Sequence, residues 1–558
     1  MGGDTSTFAG DIKVEVDAAI DGLNQRLREL NRKIWENPEL GEHEFMAHET
    51  LCSFFEEQGY AVTRSAYGRP TAFEVLSGSG GRLVNFNAEY DCLPGIGHAC
   101  GHNLIATSSV TAFLGLSMSL KKLGVRGRVQ LLGTPDEEGS GGKIKLLDAG
   151  AYKGVDASLM AHPIAGDITG SGGENAINDG VAGIRMIARQ YLSAEYRGKN
   201  AHAGGNPWKG VNALDSAISA YNNISLLRQQ MEPDERIHNV LLESEKTVNV
   251  IPAYAKAAYQ ARSPRLAGLK VLTARVVNCI NAAALATGTE VEIEYGALYA
   301  DVVLNETICG LYTSHTARYG HQVTKISPII VTGSTDQGNV SQVIPSLHTM
   351  FSIPTEGGVG PHNAGFAKTA GTDVAHDKAI IVGKTMALVG FDILTKDDVY
   401  RTNSMLGNIE GGIIYILDAF LSPAHIARLR ALLQIHGDDD GAILRNLWLL
   451  SPSIHKAFRG GHVNVQARGL SPEDELEGTD SAPEFVMNTL YLDEPSDLIL
   501  GNGAYFQNSR QNFTCSTTKL EGLNPPSRFL FAVHYRFSAA LHLFYIEDKI
   551  ARGGRSID

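Results

Sequence analysis

Cysteine, histidine and glutamate gather at three points in the first third of the chain. The densest is His98-Ala99-Cys100-Gly101-His102. A thiolate and an imidazole flanking one glycine can be aimed at a single point by a tight turn, and soft sulfur with imidazole suits zinc or another late divalent metal. The second is Asp136-Glu137-Glu138-Gly139. Adjacent residues on an extended segment point to opposite sides, so one carboxylate can hold a metal while the other, kept off it, works as a general base. The third is Ala161-His162-Pro163. Each alone has a bland alternative: a glycine-rich turn, a solvated acidic loop, an ordinary loop histidine. Three in succession, each closing a predicted strand, point to metal-assisted chemistry.

Those residues need a scaffold, and the hydrophobic pattern supplies one. Spacing of three and four predicts a helix through Val14–Leu27 and another over Thr50–Glu57. A strand over Leu83–Ala88 runs into the loop 91–103, followed by a charge-free, buried helix over Leu104–Leu120. Strand Arg128–Leu132, helix Lys143–Ala149 and strand Ala157–Met160 come next. This alternation predicts a largely parallel α/β sheet, with ligands at the strand ends. From about Gly183 the texture changes. Strands over Ile184–Tyr191, Glu195–Gly198, Thr247–Arg262 and Val291–Tyr295, with helices over Asn212–Gln230 and Leu269–Leu285, read as an inserted α+β unit. The α/β pattern resumes near Val302 and ends near Asp397.

At 558 residues the chain is too long for one core. With 43% hydrophobic and 20% charged residues it is globular, not disordered. Lys+Arg 48 against Asp+Glu 61 gives −13, a balance unsuited to coating phosphate. No stretch approaches the ~18 apolar residues of a membrane helix, and the N-terminus has neither basic nor apolar signal regions. Six scattered cysteines predict a reduced, cytoplasmic compartment.

Asp91-Cys92-Leu93-Pro94, His98–Asn103, Glu137-Glu138-Gly139 and Met160–Pro163 together resemble the M20 family of metallopeptidases and amidohydrolases, in its branch of N-acyl-amino-acid and aminobenzoyl-glutamate hydrolases and dipeptidase-like proteins. Gly198–Ala203 with Pro207, Gly210 and Asn212-Ala213 resembles the opening of the family's lid domain. Asn249–Pro252 with Arg262 resembles its substrate-side strand, and Gly333–Asp336 with Pro361–Asn363 its last catalytic stretch. The resemblance implies a phosphorylase/hydrolase-like α/β catalytic domain in two parts, 1–182 and 297–397, with an α+β lid (dimerisation) domain, 183–296, inserted between them. It implies two divalent metal ions, zinc or manganese, held by Cys100, His102, Glu138, His162 and His362, with Glu137 as general base. His202 would reach the substrate carbonyl, in this family usually across a dimer interface, so a homodimer through the lid is expected. Asn249 and Arg262 are candidates for a substrate carboxylate. The expected substrate is a small dipeptide or an N-acyl (aminobenzoyl-type) amino acid, cleaved at its amide bond. Many relatives carry Asp where this chain has Asn103, a departure that touches the hydrogen bonding behind the ligands. His98 is not counted as a ligand.

Residues 398–558 form an appended α+β segment. Ala424-His425-Ile426, Arg445-Asn446 and Ile454–Phe458 resemble part of fungal HNH-nuclease-like domains, with His425, Asn446 and His455 at the motif positions. This carries the alternative of a bifunctional or decayed protein that binds or cleaves nucleic acid. The acidic balance and the sparse cations Lys456 and Arg459 weigh against a nucleic-acid partner.

Overall fold

The computed structural model describes residues 11–166 and 179–400, and beyond them the backbone of three strands. The chain divides into two compact units, Met1–Gly411 and Gly412–Asp558.

The first unit opens with α1 (Ile12–Asp21), α2 (Asn24–Glu36) and α3 (Phe45–Glu57). Gly22 ends α1, so the single helix expected over Val14–Leu27 is two. Then come β1 (Val62–Arg64), β2 (Phe73–Ser79), β3 (Leu83–Ala88), α4 (His102–Leu123), β4 (Gly127–Gly133), α5 (Gly142–Asp148), β5 (Ala157–Ala165) and β6 (Gly180–Met186). A second group follows: β7 (Ala188–Arg197), α6 (Ala213–Leu227), β8 (Arg236–Ser244), β9 (Tyr254–Ser263), α7 (Leu266–Thr287) and β10 (Glu290–Tyr299). The chain returns with α8 (Glu306–Ala317), β11 (Val323–Val331), α9 (Gln337–Ser341), β12 (Ser346–Ile353), α10 (Ala364–Ala370) and α11 (Asp373–Thr395).

Eight strands make one mixed sheet in the order β1-β2-β4-β3-β5-β12-β6-β11. Its centre, β4-β3-β5-β12, is parallel, and the antiparallel β1–β2 pair borders it on one side. Helices α4 and α11 pack against it and against each other; every residue of α4 from His102 to Ser117 is buried. The remaining four strands make a separate antiparallel sheet, β10-β7-β9-β8, covered by α6 and α7. This is a mixed α/β fold with a smaller α+β domain inserted into it.

Other expectations also need correction. Ile184 lies in β6 of the large sheet, and the smaller sheet starts at Ala188, after a single intervening residue. Strand β7 runs unbroken through the predicted gap at Leu192–Ala194, because its inward residues Leu192, Ala194 and Tyr196 alternate into the lid core. Strand β8 carries no such signal in the sequence: it is an edge strand, mostly exposed, and lacks the inward alternation that marks a half-buried strand. Finally, α4 and α7 are each long and apolar enough to cross a membrane, against the expectation that no segment is. In α4 the reason is burial on all sides; α7 lays Leu269, Leu272, Val276, Ile280 and Ala283 on the lid sheet.

In the second unit, strands β13 (Val463–Ala467), β14 (Phe485–Thr489) and β15 (Phe513–Cys515) form an antiparallel sheet. His425, Asn446 and His455 lie outside the described residues.

Candidate metal centre

The three sequence clusters converge where β3, β4 and β5 end. Gly101 makes this possible for the first. It sits at φ +79° just before α4, and a Cβ there would stand 2.5 Å from Pro163 Cγ. Only glycine combines that turn with that approach, and it puts Cys100 and His102 on the same side. Cys100 Sγ lies 3.3 Å from His162 Nε2. His162 Nδ1 is 2.7 Å from the Pro163 carbonyl, which fixes the proton there and turns the Nε2 lone pair towards the sulfur. His362, at φ +64°, is drawn in by its own amide, which donates to Ala99 O at 2.8 Å; its Nε2 stands 3.3 Å from Glu138 Oε1. A non-glycine residue held in left-handed backbone is costly and clusters at functional sites.

His102 is the centre of the arrangement. Its Nδ1 bonds the buried carboxylate of Asp91 at 2.8 Å, and the same Asp91 accepts from the Glu138 amide at 3.0 Å. Nε2 then faces Glu89 at 3.4 Å, Glu138 at 3.8 Å and Glu137 at 3.9 Å. Neither His102 Nε2 nor Glu89 Oε2 has a hydrogen-bond partner, although both are buried. A buried acceptor cluster of this kind is unfavourable unless a cation joins it. Three groups have ligand atoms mutually within 4.8 Å: Cys100–His102–His162, Cys100–Glu138–His362 and Glu89–His102–Glu137. The first two share Cys100. The donor set of sulfur, imidazole and carboxylate fits divalent zinc or a similar ion, and the Asp91 carboxylate behind His102 and the Pro163 carbonyl behind His162 are the support that metal ligands receive.

The electrostatics follow from burial and crowding. Burial, then the charges of Glu89 and Glu138, push the Glu137 carboxyl well above its usual range. Burial also opposes a charge on Glu138, but the contact with His362 and the field of His102 pull it down to about 2. Two neighbouring glutamates are thereby set to opposite protonation preferences, the pattern expected of a base and a ligand. Burial opposes a charge on His102, yet Asp91 and its neighbours hold it well above the imidazole range; that field attracts any cation.

Several participants lie beyond the sequence reading. Lys143, fully buried, bridges Glu89 and Asp336, the latter at 2.6 Å. His348 stands behind His162 with ring centroids 6.1 Å apart. Asp91 belongs to the Asp91–Pro94 motif, and the structure gives it a role behind His102. Only its short separation from His102 could have flagged it; Lys143 and Asp336 are 193 residues apart and carry no local signal. His98 Nε2 donates to Ile34 O, 3.1 Å away, and stays off the cluster. Asn103 donates to Asn31 Oδ1 and Ala370 O at 2.8 and 2.9 Å.

The lid residues are arranged otherwise. His202 is exposed, in a loop bridged to Val250, and its Nδ1 accepts from the Gly204 and Gly205 amides at 3.2 and 3.1 Å. Asn249 adjoins it through its carbonyl, which accepts from the Ala203 amide at 2.9 Å. Arg262, on β9, donates to Thr332 O at 2.8 Å, where the lid meets the catalytic domain. The structure thus gathers Cys100, His102, Glu137, Glu138, His162 and His362, and sets His202 and Asn249 together elsewhere.

Comparison with known proteins is consistent with this geometry. Residues 85–375 match the sequence profile of Peptidase family M20/M25/M40. The chain is 39% identical over 392 residues to the mouse (Mus musculus) Xaa-Arg dipeptidase, covering 68% of this chain and 88% of that protein. It is 30% identical over 311 residues to one of the subunits of the p-aminobenzoyl-glutamate hydrolase of Escherichia coli, covering 52% of this chain and 62% of that one. The fold is shared with an aminobenzoyl-glutamate utilization protein from Klebsiella pneumoniae, at TM-score 0.55 and 17% identity over 68% of this chain and 99% of the other. The profile match stops before the HNH-like segment. On this footing the chain is a hydrolase and belongs to peptidase family M20/M25/M40.

Proposed function

We propose that this protein hydrolyses the amide bond of a small dipeptide, with N-acyl (aminobenzoyl-type) amino acids as the second substrate class. One observation carries the reading: the unpartnered, buried Nε2 of His102 amid carboxylates, beside two ligand groups that share Cys100. Cys100, His102, Glu138, His162 and His362 would hold two divalent ions, zinc or manganese. When bound, such ions acidify a water and polarise the amide carbonyl.

The chain's own residues do the rest. Glu137, its proton affinity raised by burial, takes the proton of the attacking water and passes it to the leaving amine. Asp91 holds His102 in one tautomer, and Pro163 O does the same for His162. His202, whose Nδ1 accepts two backbone amides, carries its proton on Nε2 and donates it to the oxyanion from the lid. Arg262 and Asn249 are assigned to the substrate carboxylate, for which a guanidinium fork is the matching shape.

A homodimer through the lid is part of the reading. Strand β8 is an open edge, and Val240, Leu241 and Leu242 on it are exposed, as are Ile218 and Tyr221 on α6. Long apolar edges invite pairing with a second strand. A cytoplasmic location is part of the same reading; Cys52, Cys92, Cys100, Cys279 and Cys309 carry free thiols.

The test is a panel of dipeptides, headed by Ala-Arg because the more similar relative is an Xaa-Arg dipeptidase, together with p-aminobenzoyl-glutamate. Chelation should abolish turnover and metal restore it. Glu137→Gln should retain bound metal and lose turnover. An active, metal-free protein would overturn the proposal.

A further inference from the structure

The lid joins the catalytic domain by two crossings that lie side by side. The chain enters β7 through Ile187, whose amide donates to Gly333 O at 3.1 Å. It leaves β10 through Ala300, whose amide donates to Asn339 Oδ1 at 2.9 Å. At this end of the lid sheet Arg189 and Tyr299 are direct cross-strand partners. The Arg189 guanidinium sits 3.7 Å from the centroid of the Tyr299 ring, a close cation–π contact. Tyr299 is completely buried. Its hydroxyl reaches out of the lid sheet and donates to the main-chain carbonyl of Glu137 at 2.6 Å, with Gly139 O 3.5 Å away.

The last residue of the lid therefore holds the peptide of the residue assigned as base. A phenol is a donor throughout the neutral range, so the bond does not depend on pH. Resting on the reading of Glu137 as base, we propose that Tyr299 is a positioning residue for Glu137, and that Arg189, stacked on its ring, ties that position to the hinge of the lid. A rotation of the lid about the two crossings carries the paired strands β7 and β10 with it and moves the ring, and the ring moves the Glu137 peptide. The base would then be correctly aimed only when the lid has the right set, so substrate closure and proton abstraction are coupled through a single side chain. The bland alternative is that Tyr299 merely satisfies a buried carbonyl. It differs in what it predicts: lost stability, with no selective effect on turnover.

Tyr299→Phe separates the two, since it keeps the ring, the stack and the burial and removes only the hydroxyl. The full chain, loaded with manganese, is assayed on Ala-Arg beside Arg189→Met, Arg189→Lys, the Arg189→Met/Tyr299→Phe pair and Glu137→Gln. Misplacing a base by a fraction of an ångström should lower kcat about tenfold or more in Tyr299→Phe, with KM within about twofold and metal content unchanged. Arg189→Met should lower kcat less, Arg189→Lys should recover it, and the double variant should be no worse than Tyr299→Phe alone. Amide hydrogen exchange over residues 136–142 should rise in Tyr299→Phe, a readout independent of turnover. Wild-type kcat in Tyr299→Phe, a loss that merely follows lost metal, or additive effects in the double variant would overturn the inference. If Tyr299→Phe fails to fold, an unchanged kcat in Arg189→Met has the same force. Activity in Glu137→Gln would remove the base reading itself; an inactive Glu137→Gln beside a fully active Tyr299→Phe removes only this inference.

Discussion

Two polar regions of the first unit are built on opposite plans. Around the metal-ligand cluster, Glu89, Asp91, His102, Glu137, Lys143 and Asp336 are all buried, and each is held by another side chain or by a strand end. The lid loop carrying His202 and Asn249 is exposed and held by its own backbone. The first region stakes stability on chemistry, because buried charges must stay paired. The second stakes almost none, so its residues can approach and leave a substrate cheaply. Substitutions in the two should therefore fail differently: the first in folding and metal retention, the second in rate alone.

Lys143→Met puts that contrast under the heaviest strain. It leaves Glu89 and Asp336 buried and facing each other without their shared cation, and removing one partner of a buried ion pair costs about 3–5 kcal/mol. Urea unfolding should show that loss; a variant as stable as wild type would mean the triad is not needed for folding. His202→Ala is next. Loss of one oxyanion donor costs about 10²–10³ in kcat, or roughly 2.7–4 kcal/mol in the barrier. Metal content and melting temperature should stay put, and a large fall in either would place His202 in the structural class instead.

A smaller effect comes from Asn103→Asp. The amide nitrogen of Asn103 donates to two acceptors, and a carboxylate there would meet both with lone pairs. The expected cost is about 1–3 kcal/mol, seen as a lower melting temperature with weaker metal retention at the adjoining His102. Least of all is a pH effect at the far end of the same chain of contacts. Asn31 meets His376 Nδ1 at 3.4 Å, and His376 Nε2 meets Asn24 Oδ1 at 3.0 Å. Burial, with the charge of Arg28, lowers His376 to about 4. The unfolded chain protonates this histidine near pH ~6.5. Its contribution is therefore complete above that pH and is lost as pH falls from there towards 4. A His376→Gln variant should show a flatter decline in urea midpoint over that window; parallel declines would refute the assignment.

What could be read from the residues alone divides along the same line. Cys100, His102, Glu137, Glu138 and His162 sit in short motifs at the ends of three predicted strands, and those strands formed where the apolar pattern placed them, the third running on to Ala165. Glu89 and Lys143 were illegible because neither is unusual in its neighbourhood. Glu89 follows a strand and Lys143 opens a helix, and only the sheet order β4-β3-β5 brings them face to face. The lid was legible as a change of texture but not strand by strand. Its edge strand β8 shows water a mixture of His238, Glu243 and the apolar Val240, Leu241 and Leu242, without the periodicity that packing imposes. Tyr299 escaped for a related reason: its spacing says core aromatic, and nothing in a one-dimensional pattern reveals where a hydroxyl ends.

The paired register of Arg189 with Tyr299 means the two ends of the inserted segment are neighbours across a ladder, about one strand spacing apart. A segment of more than a hundred residues thus behaves, for the host sheet, as an enlarged hairpin. Ala188 and Ala300 could be joined by a short turn without moving β6 or α8, giving a lidless enzyme in which the ligand cluster can be studied without the lid. The same neighbourliness would let a differently shaped insert be spliced at this point, so that substrate range could be exchanged as a cassette while the metal-binding chemistry stays in place.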